Sequence, residues 1–277
     1  MDRREDKFLP VSREDMMRRG WDQLDFLLVS GDAYVDHPSF ACAVISRVLE
    51  SHGYKVGLIC QPDWRSTADF KRLGKPRLGV LITAGNLDSM LNKYTAAKKT
   101  RHNDAYAPGG KAGLRPDRAT IVYGARIREL WKNIPIIIGG VEASLRRWTH
   151  YDYWSDTLRR PILFDSWADL LIYGMGEKAV VEVADNLAGG IPISEITYVR
   201  GTMVKQTAEQ VAADKSTVIV PSWEAINAQK RFFAEAFRLQ AAQQDPFYGK
   251  KVAQEIEGRG FVVQNPPVMP LIPSIKL

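Results

Sequence analysis

The stretch Ile134-Pro-Ile-Ile-Ile-Gly-Gly-Val-Glu-Ala-Ser-Leu-Arg-Arg-Trp148 joins a short apolar run to two glycines and then to charged residues. An apolar run of this length is typical of a strand buried on both faces, as in a parallel sheet covered by helices. Gly139 and Gly140 would stand at the carboxyl end of that strand, where open α/β sheets bind ligands. We therefore expect an α/β fold with its chemistry at this edge.

Strand and helix patterns alternate on both sides of this stretch. Further apolar runs predict strands at residues 25–30, 54–59, 78–83 and 170–173. Helical spacing predicts helices at residues 41–51, 119–133 and 177–187. This alternation indicates a Rossmann-like parallel sheet of about five strands, flanked by helices.

The pattern weakens after residue 195. We expect a short strand pair near Tyr198 and Val218, and a long helix from Ser222, its N-cap, to about Gln244. Residues 261–270 should form an extended, proline-rich connection. The expected organisation is a Rossmann-like domain over residues 1–195, then a helical and proline-rich segment over residues 196–277.

Composition narrows the class of protein. The chain has 277 residues, 45% of them hydrophobic, which is enough for a substantial core. No apolar run approaches the roughly 18 residues of a membrane helix, and the first residues lack the apolar core of a secretion signal. We expect a cytoplasmic protein without a membrane partner.

The two cysteines, Cys42 and Cys60, lie 18 positions apart. This spacing fits neither a redox pair nor a zinc or iron–sulfur ligand set. The favoured interpretation is two small buried hydrophobic residues, and the sequence predicts no metal site in this chain.

Positive charge is concentrated in one segment, although the net charge of +6 is modest. Between positions 93 and 128 the sequence contains nine Lys or Arg residues but only two Asp residues. Residues 93–120, which we call the basic loop, are predicted to form a long exposed insertion. It could be merely solvated, contact phosphate or nucleic acid, or dock on another protein segment. Its candidate contact residues are Lys98, Lys99, Arg101, Lys111 and Arg115.

Polar residues crowd the segment after the glycine pair. We call Glu142, Arg146, Arg147, His150 and Asp152 the polar cluster, and expect it to form a partly exposed surface. A carboxylate beside His150 would favour the charged imidazole. Catalysis and the positioning of a neighbouring domain both remain open for this cluster.

Two further candidates lie at strand ends. Gly174 and Gly176 fit the glycine spacing of a dinucleotide-binding turn, but Glu177 in the first helical turn would repel a pyrophosphate. A tight turn with a self-capped helix is the alternative. Asp36 and His37 follow the first strand, where a functional histidine or a plain loop residue would both fit.

Long ordered motifs spread over residues 10–271 resemble the amino-terminal region of YgiQ-type radical S-adenosylmethionine (SAM) proteins. The motifs are Val35-Asp-His-Pro-Ser-Phe40, Gly85-Asn-Leu-Asp-Ser-Met90, Asn92-Lys-Tyr-Thr-Ala96, Asp104-Ala-Tyr-Ala-Pro-Gly-Gly-Lys111, Arg115-Pro-Asp-Arg-Ala119, Gly139-Gly-Val-Glu-Ala-Ser-Leu-Arg-Arg147, His150-Tyr-Asp-Tyr-Trp154, Gly174-Met-Gly-Glu177 and Asn265-Pro-Pro267.

The resemblance implies a domain similar to cobalamin-binding domains, followed by a radical SAM barrel. In that barrel a Cys-x3-Cys-x2-Cys motif would hold the [4Fe-4S] cluster that cleaves SAM. This chain has no such motif, so we expect a non-catalytic portion that shapes or covers the active site of the absent barrel. Asp36 and His37 are adjacent and depart from the Asp-x-His-x-x-Gly signature, so cobalamin ligation by His37 is not expected. The alternative is a self-sufficient binding module for an anionic small molecule, cobalamin or nucleic acid.

Overall fold

The computed structural model describes residues 8–270, which form a nine-stranded sheet, a separate two-stranded sheet and flanking helices. The strands are β1 Phe26–Ser30, β2 Val56–Cys60, β3 Gly79–Thr83, β4 Ile136–Gly139, β5 His150–Asp152, β6 Thr157–Arg159, β7 Leu170–Ile172, β8 Thr202–Gln206, β9 Val218–Val220, β10 Val252–Ile256 and β11 Gly260–Gln264. The helices are α1 Arg13–Arg18, α2 Ala41–Ser51, α3 Ser89–Lys93, α4 Ala119–Leu130, α5 Gly140–Leu145, α6 Ile162–Asp165, α7 Glu177–Ala188, α8 Ala208–Ala213, α9 Trp223–Ala228 and α10 Lys230–Ala241.

The first half of the large sheet has the predicted Rossmann-like form. Five strands run parallel in the order β2-β1-β3-β4-β7. The chain leaves β1 through α2 to reach β2 on one side, whereas β3 lies on the other side of β1. The order therefore reverses between β1 and β3, and such a switch point opens a crevice at the carboxyl ends of the strands.

Apolar residues cover both faces of this half, which explains its unbroken apolar runs. On one face, Tyr123 and Ile127 of α4 pack into a core with alternate strand residues. On the other face, Leu49 of α2 and Val183 of α7 pack against the intervening strand residues. The fold class is confirmed.

The second half enlarges the sheet beyond the predicted five strands. β8 runs antiparallel to β7, β11 antiparallel to β8, and β10 antiparallel to β11, while β9 lies parallel to β10 at the edge. Two reversals bring β11 back to the direction of β7. Its last residue, Gln264, therefore points the chain toward the edge that carries the ends of the parallel strands.

Three details after residue 195 differ from expectation. The strands near Tyr198 and Val218 both exist as β8 and β9, but β10 and β11 separate them. The long helix begins after its predicted N-cap Ser222 and breaks at Gln229, whose extended φ of −145° ends α9 before α10 begins. Residues 261–264 are a sheet strand because β8 and β10 offer hydrogen bonds on both sides. The division into residues 1–195 and 196–277 stays a prediction, and its outermost residues, 1–7 and 271–277, lie outside the described part.

Candidate functional site

A crevice opens at the carboxyl edge of the parallel strands, on the sheet face that α2 and α7 cover. Its volume is about 760 Å³. Apolar side chains form two opposed walls, from the strands on one side and the helices on the other. They include Leu28, Leu81 and Ile137 of the sheet and Val44, Ile45 and Val180 of the helices.

Glycine turns form the rim of the crevice. Gly139 and Gly140 join β4 to α5, and Gly174 and Gly176 lie between β7 and α7. Gly140 has φ +83°, and a Cβ there would lie 2.5 Å from Thr83 Oγ1, so a larger residue would displace the end of β3. The fold thus brings the four predicted glycines around one opening.

Glu177 supplies a carboxylate to the crevice. Among the lining side chains, all within residues 8–270, it is the only one that carries a charge. Its Oε2 is buried and has no hydrogen-bond partner. No side chain caps the start of α7, so the self-capped helix that the sequence offered as an alternative is not formed.

Glu142 of the polar cluster lies inside the protein. Its Oε2 accepts hydrogen bonds from the backbone N–H of Ser89, at 2.8 Å, and from the Ser89 hydroxyl, and its Oε1 accepts from Thr120 N–H at 2.9 Å. The same Ser89 hydroxyl oxygen accepts from Ala119 N–H. Glu142 therefore ties α5 to the starts of α3 and α4, and the expectation of exposure is wrong for this residue.

The two arginines of the polar cluster also have internal partners. Arg146 forms an ion pair with Asp88, whose other oxygen caps the first turn of α3. Arg147 donates from Nε to Gln264 Oε1 at 2.8 Å and stacks over the ring of Tyr173, 5.0 Å from its centroid. Burial lowers the pKa of both guanidinium groups. They join the crevice rim to the neighbouring loops.

The environment of His150 favours its neutral form, contrary to expectation. Burial lowers the pKa of its imidazole, and the positive charges of Arg146 and Arg159 add to that effect. Asp152, the carboxylate expected beside His150, instead forms an ion pair with Arg118. Burial alone would raise the pKa of Asp152, but hydrogen bonds from Arg118 and Ser155 lower it to about 2.

The basic loop is anchored by an arginine that the sequence marked as an exposed contact residue. Arg115 is buried, with Nη2 at 2.8 Å from Asp32 Oδ1 and 3.2 Å from Asp104 Oδ2. Its Nη1 donates to Ala84 O at 2.6 Å. Burial raises the pKa of Asp32. Arg115 therefore fastens the loop to the ends of β1 and β3, and is not free to contact a ligand.

The other four candidate contact residues of the loop lie near the surface. Lys98 donates to Trp154 O at 2.9 Å and lies over the ring of Tyr153. Arg101 donates from Nε to the backbone carbonyls of Leu91, in α3, and of Tyr94. Lys99 and Lys111 are exposed. Part of the loop thus packs against the hairpin of β5 and β6, and its ligand contacts stay a prediction.

Asp36 and His37 do not reach the crevice, although Pro38 and Ser39 beside them do. His37 Nδ1 accepts a hydrogen bond from Ser39 N–H at 3.1 Å, and Asp36 is paired with Arg47. The imidazole is therefore engaged in its own turn.

Two lining residues were missed by sequence reasoning. Asn86 bridges the crevice mouth, because its Nδ2 donates to Ser39 O and its Oδ1 accepts from Ala41 N–H. Its position three residues after the predicted strand 78–83 was the available signal. Cys42 lines the crevice from the first turn of α2, and a hydrogen bond from the Cys60 thiol lowers its pKa.

These residues do not fit a [4Fe-4S] cluster. A cluster of this kind in radical SAM proteins needs three thiolates, whereas the sequence holds two cysteines, which contact each other. Within residues 8–270, no group of three or more His, Cys, Asp or Glu side chains is arranged to hold a metal ion.

An open α/β sheet with a ligand-sized crevice at its switch point defines a Rossmann-like domain. The chain belongs to the radical SAM N-terminal family, which it matches over residues 8–274.

Similar proteins are longer than this chain. It is 54% identical over 264 residues to a UPF0313 protein of Clostridium botulinum, an alignment that covers 95% of the chain and 40% of that relative. It is 52% identical over 268 residues to a UPF0313 protein of Clostridium perfringens, covering 96% of the chain and 40% of that relative. The chain therefore spans about 40% of the length of these relatives. Between residues 8 and 270, no helix is long and apolar enough to cross a membrane.

Proposed function

We propose that this chain is the amino-terminal, non-cluster-binding part of a cytoplasmic radical SAM enzyme, and that its carboxyl edge covers the active site of the catalytic part. In this proposal the catalytic part holds the [4Fe-4S] cluster and SAM, and supplies the radical chemistry. The residues of this chain shape the wall of the reaction chamber and exclude water from it.

The observation that carries the proposal is the apolar character of this edge. Leu145 and Met175 stand at the crevice rim and are 61% and 58% exposed. Leu91, in the helix that follows β3, is 63% exposed. Exposed apolar side chains grouped at one edge mark a protein interaction surface.

The path of the chain supports the same orientation. After β11 the backbone stays at the carboxyl edge, where Tyr173 Oη donates to Asn265 O at 2.6 Å and Gly201 N–H donates to Pro266 O at 2.8 Å. Arg200 Nε donates to Pro267 O at 3.0 Å. Because the relatives are longer and the family is defined as amino-terminal, a following domain would start beside the crevice.

The alternative of an anion-binding module has less support. Arg115, the most central of the proposed anion contacts, is paired with two carboxylates. The crevice itself presents the carboxylate of Glu177, which repels anions.

Matched substitutions in the longer protein would test the proposed edge. Leu145→Asp and Met175→Asp should each slow SAM cleavage by about tenfold, equivalent to about 1.4 kcal/mol. Trp167→Asp is the control, because Trp167 is 62% exposed but precedes β7, at the opposite edge. In the 277-residue chain, all three should leave stability within about 0.5 kcal/mol. Normal SAM cleavage by both edge variants would contradict the proposal.

A further inference from the structure

The crevice has the dimensions and walls of a small-molecule site. Its volume of about 760 Å³ lies within the range of about 300–1,000 Å³ that such sites occupy. Leu28, Leu81 and Ile137 form the sheet wall, and the opposite wall comes from α2 and α7. A space between two packed layers favours a flat, apolar body.

The charge of the residues that line the crevice indicates which charge a bound molecule can carry. Glu177 contributes a carboxylate, and no lining side chain within the described range carries a positive charge. A phosphate or carboxylate group would therefore meet repulsion, even though glycine turns and the start of α7 border the space. An uncharged or cationic molecule meets no such penalty.

The Glu177 carboxylate also has an oxygen that lacks a hydrogen-bond donor. Its Oε2 is buried without a hydrogen-bond partner, whereas buried polar atoms are paired in the great majority of cases. A molecule in the crevice that carries an N–H group could donate to the carboxylate of Glu177, which lines the space. Hydrogen bonds to a charged group are stronger than those between neutral groups, so this contact would strongly influence affinity.

We propose that the crevice binds a small, flat, largely apolar molecule that is uncharged or cationic and donates an N–H hydrogen bond to the Glu177 carboxylate. The inference concerns residues of this chain alone. It does not rest on the proposed function.

The test uses proflavine, a flat cation with amino groups, as a fluorescent probe of the 277-residue chain. We expect binding of one molecule per chain, and about tenfold weaker binding by Glu177→Gln, or about 1.4 kcal/mol. Glu182→Gln is the matched control, because it makes the same change on an exposed part of α7 and should bind normally. Equal affinities of the two variants would overturn the role of Glu177.

Blocking variants locate the probe. Ala41 and Ser39 are exposed residues that line the crevice, so Ala41→Trp and Ser39→Trp should each abolish binding while near-ultraviolet circular dichroism shows a folded chain. Unchanged binding in a folded blocking variant would overturn the site. Tighter binding of the anion 1-anilinonaphthalene-8-sulfonate at the same place would overturn the ligand class. Failure of proflavine to bind the longer protein would show that a protein segment fills the crevice, and would also overturn the inference.

Discussion

The crevice and the polar cluster are neighbours at one edge of the sheet, but they use polar groups in opposite ways. In the cluster, the carboxylates of Glu142 and Asp152 have internal hydrogen-bond donors. In the crevice, Glu177 Oε2 is buried without any. A dense group of charges can therefore hold loops together, while a single unpaired charge in an apolar space marks the better candidate for binding.

The largest effect on stability should come from substitution of Arg115. Like the charges of the polar cluster, its charge is buried and paired inside the protein. Arg115→Met leaves Asp32 and Asp104 without their shared partner. Removing one partner of a buried ion pair typically costs about 3–5 kcal/mol. Urea unfolding should show a loss of this size, whereas Lys111→Met, on the exposed part of the same loop, should change stability by less than about 0.5 kcal/mol. Equal stability of the two variants would mean that the loop is not anchored through Arg115.

Arg146→Ala should have a smaller but clear effect. Its partner Asp88 is buried, so the substitution leaves a carboxylate oxygen without its donor, at a cost of about 1–3 kcal/mol. Thermal and urea unfolding of the 277-residue chain would measure it. A loss below about 0.5 kcal/mol would restore the exposed surface that the sequence predicted for the polar cluster.

The sequence predicted the parallel half of the fold well because buried strands and helices leave distinct apolar periods. The run 136–138 and the helix 41–51 are examples. Gly139, Gly140, Gly174 and Gly176 lie at the crevice rim, and a ligand role for them stays a prediction. The second half was less visible in the sequence, since β9 has only three residues and a proline-rich segment directly follows β11.

The site was only partly predictable, because a sequence does not show which charged side chains form ion pairs in the folded protein. The sequence contains Arg115 and Asp32, but 83 positions separate them, and only the fold makes them partners. The same limit explains why His150 was expected to be charged. Asp152 is near His150 in the sequence, but its carboxylate is paired with Arg118. Burial is therefore the largest influence on the imidazole, and it lowers the pKa of His150.

The pH dependence of stability should carry a signature of His150. Its folded-state pKa is lowered from the ordinary value of about 6.5, so the unfolded chain binds the proton more readily between these two values. The stabilising contribution is complete above about pH 6.5 and is lost as the pH falls through the folded-state value. Melting temperatures should therefore fall from pH 7.5 to pH 5, and His150→Gln should reduce that fall. An identical pH profile for this variant would mean that other groups cause the decrease.

The smallest expected change concerns Glu177, and it tests the other side of the comparison. If its carboxylate were part of the internal network, Glu177→Gln would destabilise the chain as the loss of a Glu142 hydrogen bond should. Because Oε2 has no donor to lose, we expect Glu177→Gln to change the free energy of unfolding by less than about 0.5 kcal/mol, or to raise it slightly by removing a buried charge. Glu142→Gln serves as the contrast, with an expected loss of about 1–3 kcal/mol because an amide cannot accept all three hydrogen bonds equally well. A loss above about 1 kcal/mol for Glu177→Gln would place that residue in the structural network and would remove the physical distinction between the crevice and the polar cluster.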